Sequence, residues 1–280
     1  MDGAKRWISL GFISFQPSEV AKIGLIIFYA SLLTQNKGQI REMWKGFFYP
    51  IAWLLPIIAI LIGVQNHLSA TILITAIIAV MMLMAGSRLK YFLTFGVAGV
   101  TAGLGALFAY AKITNKGMFR ITRLITFLDP FAYVQDEGWQ VVQSLYAIGS
   151  GGLFGVGLGN STQKYLYIPE AHNDFIFSII AEELGFLGCI FVIALFAIFI
   201  WRGILIAIKA PDMFGSLLAA GITTMVGLQA IINIAVVTSS MPNTGMPLPF
   251  FSYGGSAMLA DLMAVGVLLS ISKNEKKAKA

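Results

Sequence analysis

Three acidic side chains fall within the stretch IPEAHNDFIFSIIAEELG, residues 168–185: Asp174 where an apolar run begins, and Glu182 and Glu183 inside it. A carboxylate in hydrocarbon costs several kcal/mol unless it faces a cavity or a partner. Upstream lie Arg120, Arg123 and Lys164. Arginine holds a phosphate or pyrophosphate with a planar fork, and lysine holds it as a point charge. Cations and a carboxylate on one side of a membrane are groups suited to a phosphorylated substrate. Each also has a plainer reading. Juxtamembrane basic residues commonly bind anionic headgroups. Asn173 and Asp174 are preferred N-cap residues, which need no chemistry.

Glu182 lies eight residues beyond Asp174, which on a helix is about 12 Å farther along and roughly 80° around. Glu183 points to the opposite side. At least one of the pair therefore faces the bundle interior, ion-paired or lining a polar cavity. A structural hydrogen-bond network suits this pair better than direct catalysis.

The elements that must position these groups are membrane helices. Of 280 residues, 58% are hydrophobic and 11% charged, and the mean hydropathy is +0.81. Soluble domains are about 25% charged. Composition thus predicts an all-α integral membrane protein, a single membrane domain over residues 1–280. About seven spans are expected, over residues 17–35, 48–65, 68–86, 89–112, 174–201, 213–238 and 254–272. The net charge of +6 is topological rather than a nucleic-acid footprint. Lys37, Arg41, Lys45, Arg88, Lys90, Arg202, Lys209 and the tail lysines 273, 276, 277 and 279 all fall on one side by alternation. The positive-inside rule makes that side cytoplasmic, despite Lys5 and Arg6. The N-terminus and segment 113–173 are then expected outside, where ATP and nucleotide sugars are absent. Chemistry there needs a preactivated substrate.

Several classes drop out. No lysine lies in the last span for a retinal Schiff base. No cleavable signal peptide is visible at the start. Cys189 is the single cysteine, so no internal disulfide forms. His67 and His172 are far apart in sequence, with no second ligand at metal spacing. His67 reads as a polar cap at a helix end. Asp261, just inside the last span, needs a partner that the sequence does not name.

Segment 113–173 carries its own signals. GWQVVQSLYAIG reads as a short amphipathic helix with Gln140 and Gln143 on one side. GSGGLFGVGLGNS has six glycines in residues 149–159. Such a run brings its backbone close to a ligand or turns tightly. It lacks the strand–turn–helix setting of a nucleotide loop. MPNTGMPLPFFSYGGS, residues 241–256, holds three prolines and cannot be regular helix throughout. It reads as a fixed, partly re-entrant loop surrounded by protein or cavity.

Taken together, these segments resemble the SEDS family of peptidoglycan polymerases, which includes FtsW, RodA and SpoVE. GAKRWISLGFISFQPSEVAK matches the family's opening GA-RW…QPSE-AK motif. RITRLITFLDP and the run GWQVVQSLYAIG to AEELG match its long outer loop and the following helix. MPNTGMPLPFFSYGGS matches its last outer loop. The family has ten spans, three of them before GA-RW, so on this comparison the chain reads as N-terminally truncated. Where many members carry Q-P-D-[LF]-G-T, this chain has QNHLSAT, with His67 replacing the acid.

The resemblance implies polymerisation of lipid II into β-1,4 glycan strands at the outer face of the bacterial plasma membrane, in division, elongation or sporulation. The wording of the motifs leans toward FtsW and SpoVE over RodA. Asp174 takes the place of the family's essential acid in H-[TN]-DF and becomes the catalytic residue, a base for the acceptor hydroxyl. The lipid pyrophosphate is already a good leaving group, so no second carboxylate is needed, and the outcome is inversion. Arg120, Arg123, Lys164, Gln140, Gln143, Glu170 and Ser252 are assigned to substrate binding. Glu19, Lys22, Glu182 and Glu183 are assigned to structure or cavity polarity. No protein-derived metal site is assigned, although Mg2+ or Mn2+ would suit the pyrophosphate. Expected partners are the growing glycan, a class B penicillin-binding protein and other division or elongation proteins, with no nucleic acid. Two other readings stay open: a lipid II flippase, and a non-catalytic scaffold for the penicillin-binding protein.

Overall fold

The structure is a computed structural model and describes residues 8–9, 14–65, 67–97, 99, 101, 105, 126–134, 138–164 and 172–275. The chain divides into two compact units. The first takes residues 1–91, 196–229 and 254–280, and the second takes 92–195 and 230–253.

The first unit opens with a two-residue hairpin, β1 (Ile8–Ser9) against β2 (Ser14–Phe15). Helix α1, Pro17–Gln35, has proline at its first position, where the missing N–H costs nothing. Its 19 residues reach about 28 Å, close to the hydrocarbon thickness. Ile26, Tyr29, Ala30 and Leu33 recur at helical spacing and form its buried face. That face packs on α3, Leu68–Ala85. Tyr29 Oη donates to the carbonyl of Pro50 at 2.8 Å, near the start of α2, Tyr49–Gly63. His67 caps α3 as its position predicted, with Nδ1 accepting from the Ala70 amide at 3.0 Å.

Glu19 and Lys22 pair at 2.6 Å, one helical turn apart and both nearly inaccessible. Pairing neutralises two charges on one membrane helix, which is how such groups are tolerated there.

Helix α5, Ile176–Lys209, runs longer than the predicted span of 174–201 and is not continuous. It breaks at Gly185, whose φ of 67° and ψ of −166° lie outside the helical region. Helix α6 follows at Met213–Val237 and α7 at Gly255–Glu275. Within the first unit, Gly203 on α5 lies where a Cβ would strike the side chain of Thr223 on α6. Small residues at such crossings let membrane helices approach closely. The helix predicted over 138–149 is α4, Trp139–Gly151, in the second unit.

Among the described residues, six helices are long and apolar enough to cross a membrane. The seventh expected span, 89–112, is helical over 89–97, and most of its remainder lies outside the described residues.

Candidate active site

The site grows from a turn. Residues 172–175 turn into α5, and three consecutive carbonyls in that turn are held from outside it. His172 O accepts from the Tyr253 amide at 2.8 Å. Asn173 O accepts from Ser252 Oγ at 2.6 Å. Asp174 O accepts from Asn233 Nδ2 at 2.8 Å. The donors come from the last turns of α6 and from the loop 241–253. Asn233 Nδ2 also donates to Met246 O at 2.7 Å, and Ser252 Oγ accepts from the Leu248 amide at 2.7 Å. Two polar side chains thus lock the proline-rich loop and the Asp174 backbone to each other. Prolines 242, 247 and 249 explain why that loop cannot continue as helix.

Asp174 itself is half-buried. Gly245, at φ +61°, lies against it: a Cβ there would sit 3.2 Å from Asp174 Oδ2. Helix α5 begins two residues after Asp174, and the carbonyl of Phe175 accepts from both the amide and the hydroxyl of Ser178, at 3.0 and 2.7 Å.

The glycine-rich run approaches backbone, and that backbone is the protein's own. Val156 and Gly157 amides donate to the carbonyls of Glu182 and Glu183 at 3.0 and 3.1 Å. Phe186 and Leu187 amides donate to the carbonyls of Gly152 and Leu153 at 2.9 and 3.2 Å. A Cβ on Gly151, Gly155 or Gly185 would strike opposing backbone. The break in α5 frees amides and carbonyls that a membrane helix cannot leave unpaired, and the glycine loop satisfies them.

Glu182 is 1% exposed and fully engaged. It accepts from Ser161 Oγ, from the amide and hydroxyl of Thr162 at 3.0 and 2.9 Å, and from the Gln163 amide at 3.4 Å. Glu183 pairs with Lys164 at 2.9 Å, and Lys164 Nζ also donates to Gly159 O at 2.6 Å. The expected network is therefore present, and it ties the segment after α4 to α5.

The sequence-predicted substrate residues fall into three groups. Ser252 and Gln140 hold protein groups: Gln140 Oε1 accepts from Asn243 Nδ2 at 3.0 Å, joining α4 to the proline-rich loop. Lys164 spends its charge on Glu183, and Gln143 is buried on α4. Arg120, Arg123 and Glu170 lie outside the described residues. Asn233 was missed. Its only sequence signal was an amide inside the apolar run QAIINIAVV, where a polar side chain is unusual. Among the described residues, no group of three or more His, Cys, Asp and Glu gathers as a metal cage.

These elements define a multi-pass helical membrane protein with a carboxylate mounted on a fixed turn at one end of a broken helix. The family model described as Cell cycle protein, FtsW/RodA/SpoVE, matches residues 1–277. The chain belongs to the FtsW/RodA/SpoVE family. It is 41% identical over 272 residues to stage V sporulation protein E of Bacillus subtilis strain 168, covering 97% of this chain and 72% of that protein. It is 40% identical over 276 residues to a probable peptidoglycan glycosyltransferase FtsW of Geobacter sp. strain M18, covering 99% and 73%. Among solved structures, it resembles a chain from work on polymerization and crosslinking by a peptidoglycan synthase complex. The TM-score is 0.78 at 26% identity, covering 98% of this chain and 75% of that one. It also resembles the Rod shape determining protein RodA of Thermus thermophilus, with TM-score 0.66 at 28% identity, covering 98% and 71%.

Proposed function

We propose that the protein is a peptidoglycan glycosyltransferase that polymerises lipid II at the outer face of the plasma membrane, with Asp174 as its base. One observation supports the assignment of the base: the grip on three successive carbonyls at residues 172–174, which anchors the backbone that carries the carboxylate. A general base works only when held within hydrogen-bond reach of its proton. Similarity to proteins named as glycosyltransferases supports the reaction class.

In this reading Asp174 takes the proton of the acceptor sugar hydroxyl. The hydroxyl oxygen forms a bond to the anomeric carbon of the donor, and the bond from that carbon to the pyrophosphate oxygen breaks. The leaving diphosphate carries away the electron pair, and the anomeric centre inverts. Arg120 and Arg123 are the cations proposed to stabilise it. Mg2+ or Mn2+ would be held mainly by diphosphate oxygens with this one carboxylate, since such ions keep few protein ligands. The step above does not depend on one. A class B penicillin-binding protein is the proposed crosslinking partner.

A transporter reading drew on three intramembrane carboxylates, Glu182, Glu183 and Asp261, the last of them 4% exposed on α7. Glu182 is saturated with donors and Glu183 is ion-paired, which leaves neither suited to carry charge along a path.

The test uses the purified chain in detergent with labelled lipid II. Glycan polymer is expected on a gel, and Asp174→Asn should cut its rate by about 10²–10⁴, the usual worth of a general base. Binding of lipid II should survive. A flippase makes no polymer in detergent. A scaffold tolerates Asp174→Ala in cells. Undiminished synthesis by a folded Asp174→Asn protein would overturn the assignment.

A further inference from the structure

The second unit displays an apolar patch that the site does not use. Leu153, Phe154 and Leu158 are 62%, 78% and 77% exposed. They project from the loop that closes the break in α5. Water-facing surfaces rarely gather large apolar side chains in this way unless something covers them. No ionic side chain occurs between residues 149 and 163. The first one after it, Lys164, is already paired to Glu183.

The loop's place is fixed by backbone. Phe186 N donates to Gly152 O and Leu187 N to Leu153 O, which joins the loop to the first turn beyond the break. Phe186 and Leu187 are themselves exposed, and they head an apolar face that continues along a helix long and apolar enough to cross a membrane. The tip therefore extends a surface that faces lipid. Tyr146 on α4 is also half exposed and meets the Phe131 ring at a tilt, with ring centroids 6.2 Å apart. Such amphipathic rings suit a membrane–water boundary.

We propose that Leu153, Phe154 and Leu158 form a membrane-seated tip, resting in the headgroup–acyl boundary of the leaflet at the Asp174 end. The occupant is bilayer lipid, because the patch is continuous with the lipid-facing helix. Insertion is expected at about 5–10 Å, as for interfacial elements in general. Since the tip is stitched to Glu182 and Glu183, lipid at the tip sets the height of the segment that starts two residues after Asp174.

The test places single nitroxides in the full chain, in a Cys189→Ser background, reconstituted alone into phosphatidylcholine–phosphatidylglycerol vesicles. The labels go at Phe154→Cys and Leu158→Cys, with Ser240→Cys as the exposed reference. Oxygen should broaden the spectra at 154 and 158 more than a water-soluble nickel chelate does, with the reverse at 240. Nickel broadening at 154 and 158 matching that at 240 would overturn the proposal. So would protection from both reagents, which would mean protein covers the tip. Two separated label sites guard against one variant misfolding, and circular dichroism with gel filtration checks each.

Discussion

Gly245 offers the sharpest test of the site at the level of a residue. Its φ of +61° costs other residues about 1–2 kcal/mol, and a Cβ would press within 3.2 Å of Asp174 Oδ2. Gly245→Ala should therefore displace the carboxylate and lower glycan synthesis about tenfold or more, since each 1.4 kcal/mol of barrier is tenfold in rate. Lipid II binding should be nearly unchanged, which a separate binding measurement checks. Equal loss of binding and turnover would place the damage elsewhere. Asn233→Leu probes the same geometry from behind. It keeps the branching at Cγ but strips donors from the carbonyls of Asp174 and Met246. Each buried carbonyl left bare costs about 1–3 kcal/mol. The expected result is a fall in turnover with a smaller change in apparent substrate affinity, together with a lower melting temperature in detergent.

Among the elements, the broken helix and its glycine loop behave as one piece. Glu182 has only acceptors, and four donors face it. Glu182→Gln turns an amide donor toward some of them, so it should destabilise the second unit by about 1–3 kcal/mol despite its near-identical shape. Thermal unfolding in detergent measures this. Unchanged stability would mean the carboxylate is dispensable. The need for a partner at Glu182 was legible from one acid in an apolar run. Its partners were not, because Ser161 and Thr162 lie about twenty residues back across a turn whose path no periodicity encodes. The same holds for the glycines: their number announced a close approach, yet the approached surface, backbone at Glu182–Leu187, exists only after folding. The partners of Asn233 were hidden for a related reason. Its hydrogen bonds go to main-chain carbonyls, and every residue carries one.

Across the whole molecule, hydropathy was the readable part. Five of the helices long and apolar enough to cross a membrane lie within a few residues of the expected spans, because a run of about 20 apolar residues is a strong signal. Helix α5 runs past the expected span of 174–201, because the apolar pattern of ILIAI carries the helix beyond Arg202 to Lys209. The charge pattern carries an expectation of orientation. Lys37, Arg41 and Lys45 lie between α1 and α2, Arg88 and Lys90 follow α3, and Lys209 ends α5, whereas the links at 64–67 and 238–254 carry no basic residue other than His67. Translocating short lysine- and arginine-rich links is disfavoured, so the Asp174 end is expected outside. In intact bacterial cells, in a Cys189→Ser background, Ser240→Cys should react with a membrane-impermeant maleimide. Lys37→Cys, also at an exposed position, should react only after permeabilisation. The opposite pattern would place Asp174 in the cytoplasm, where soluble nucleotide sugars are at hand, and would remove the need for a lipid-linked donor on which the proposed chemistry rests.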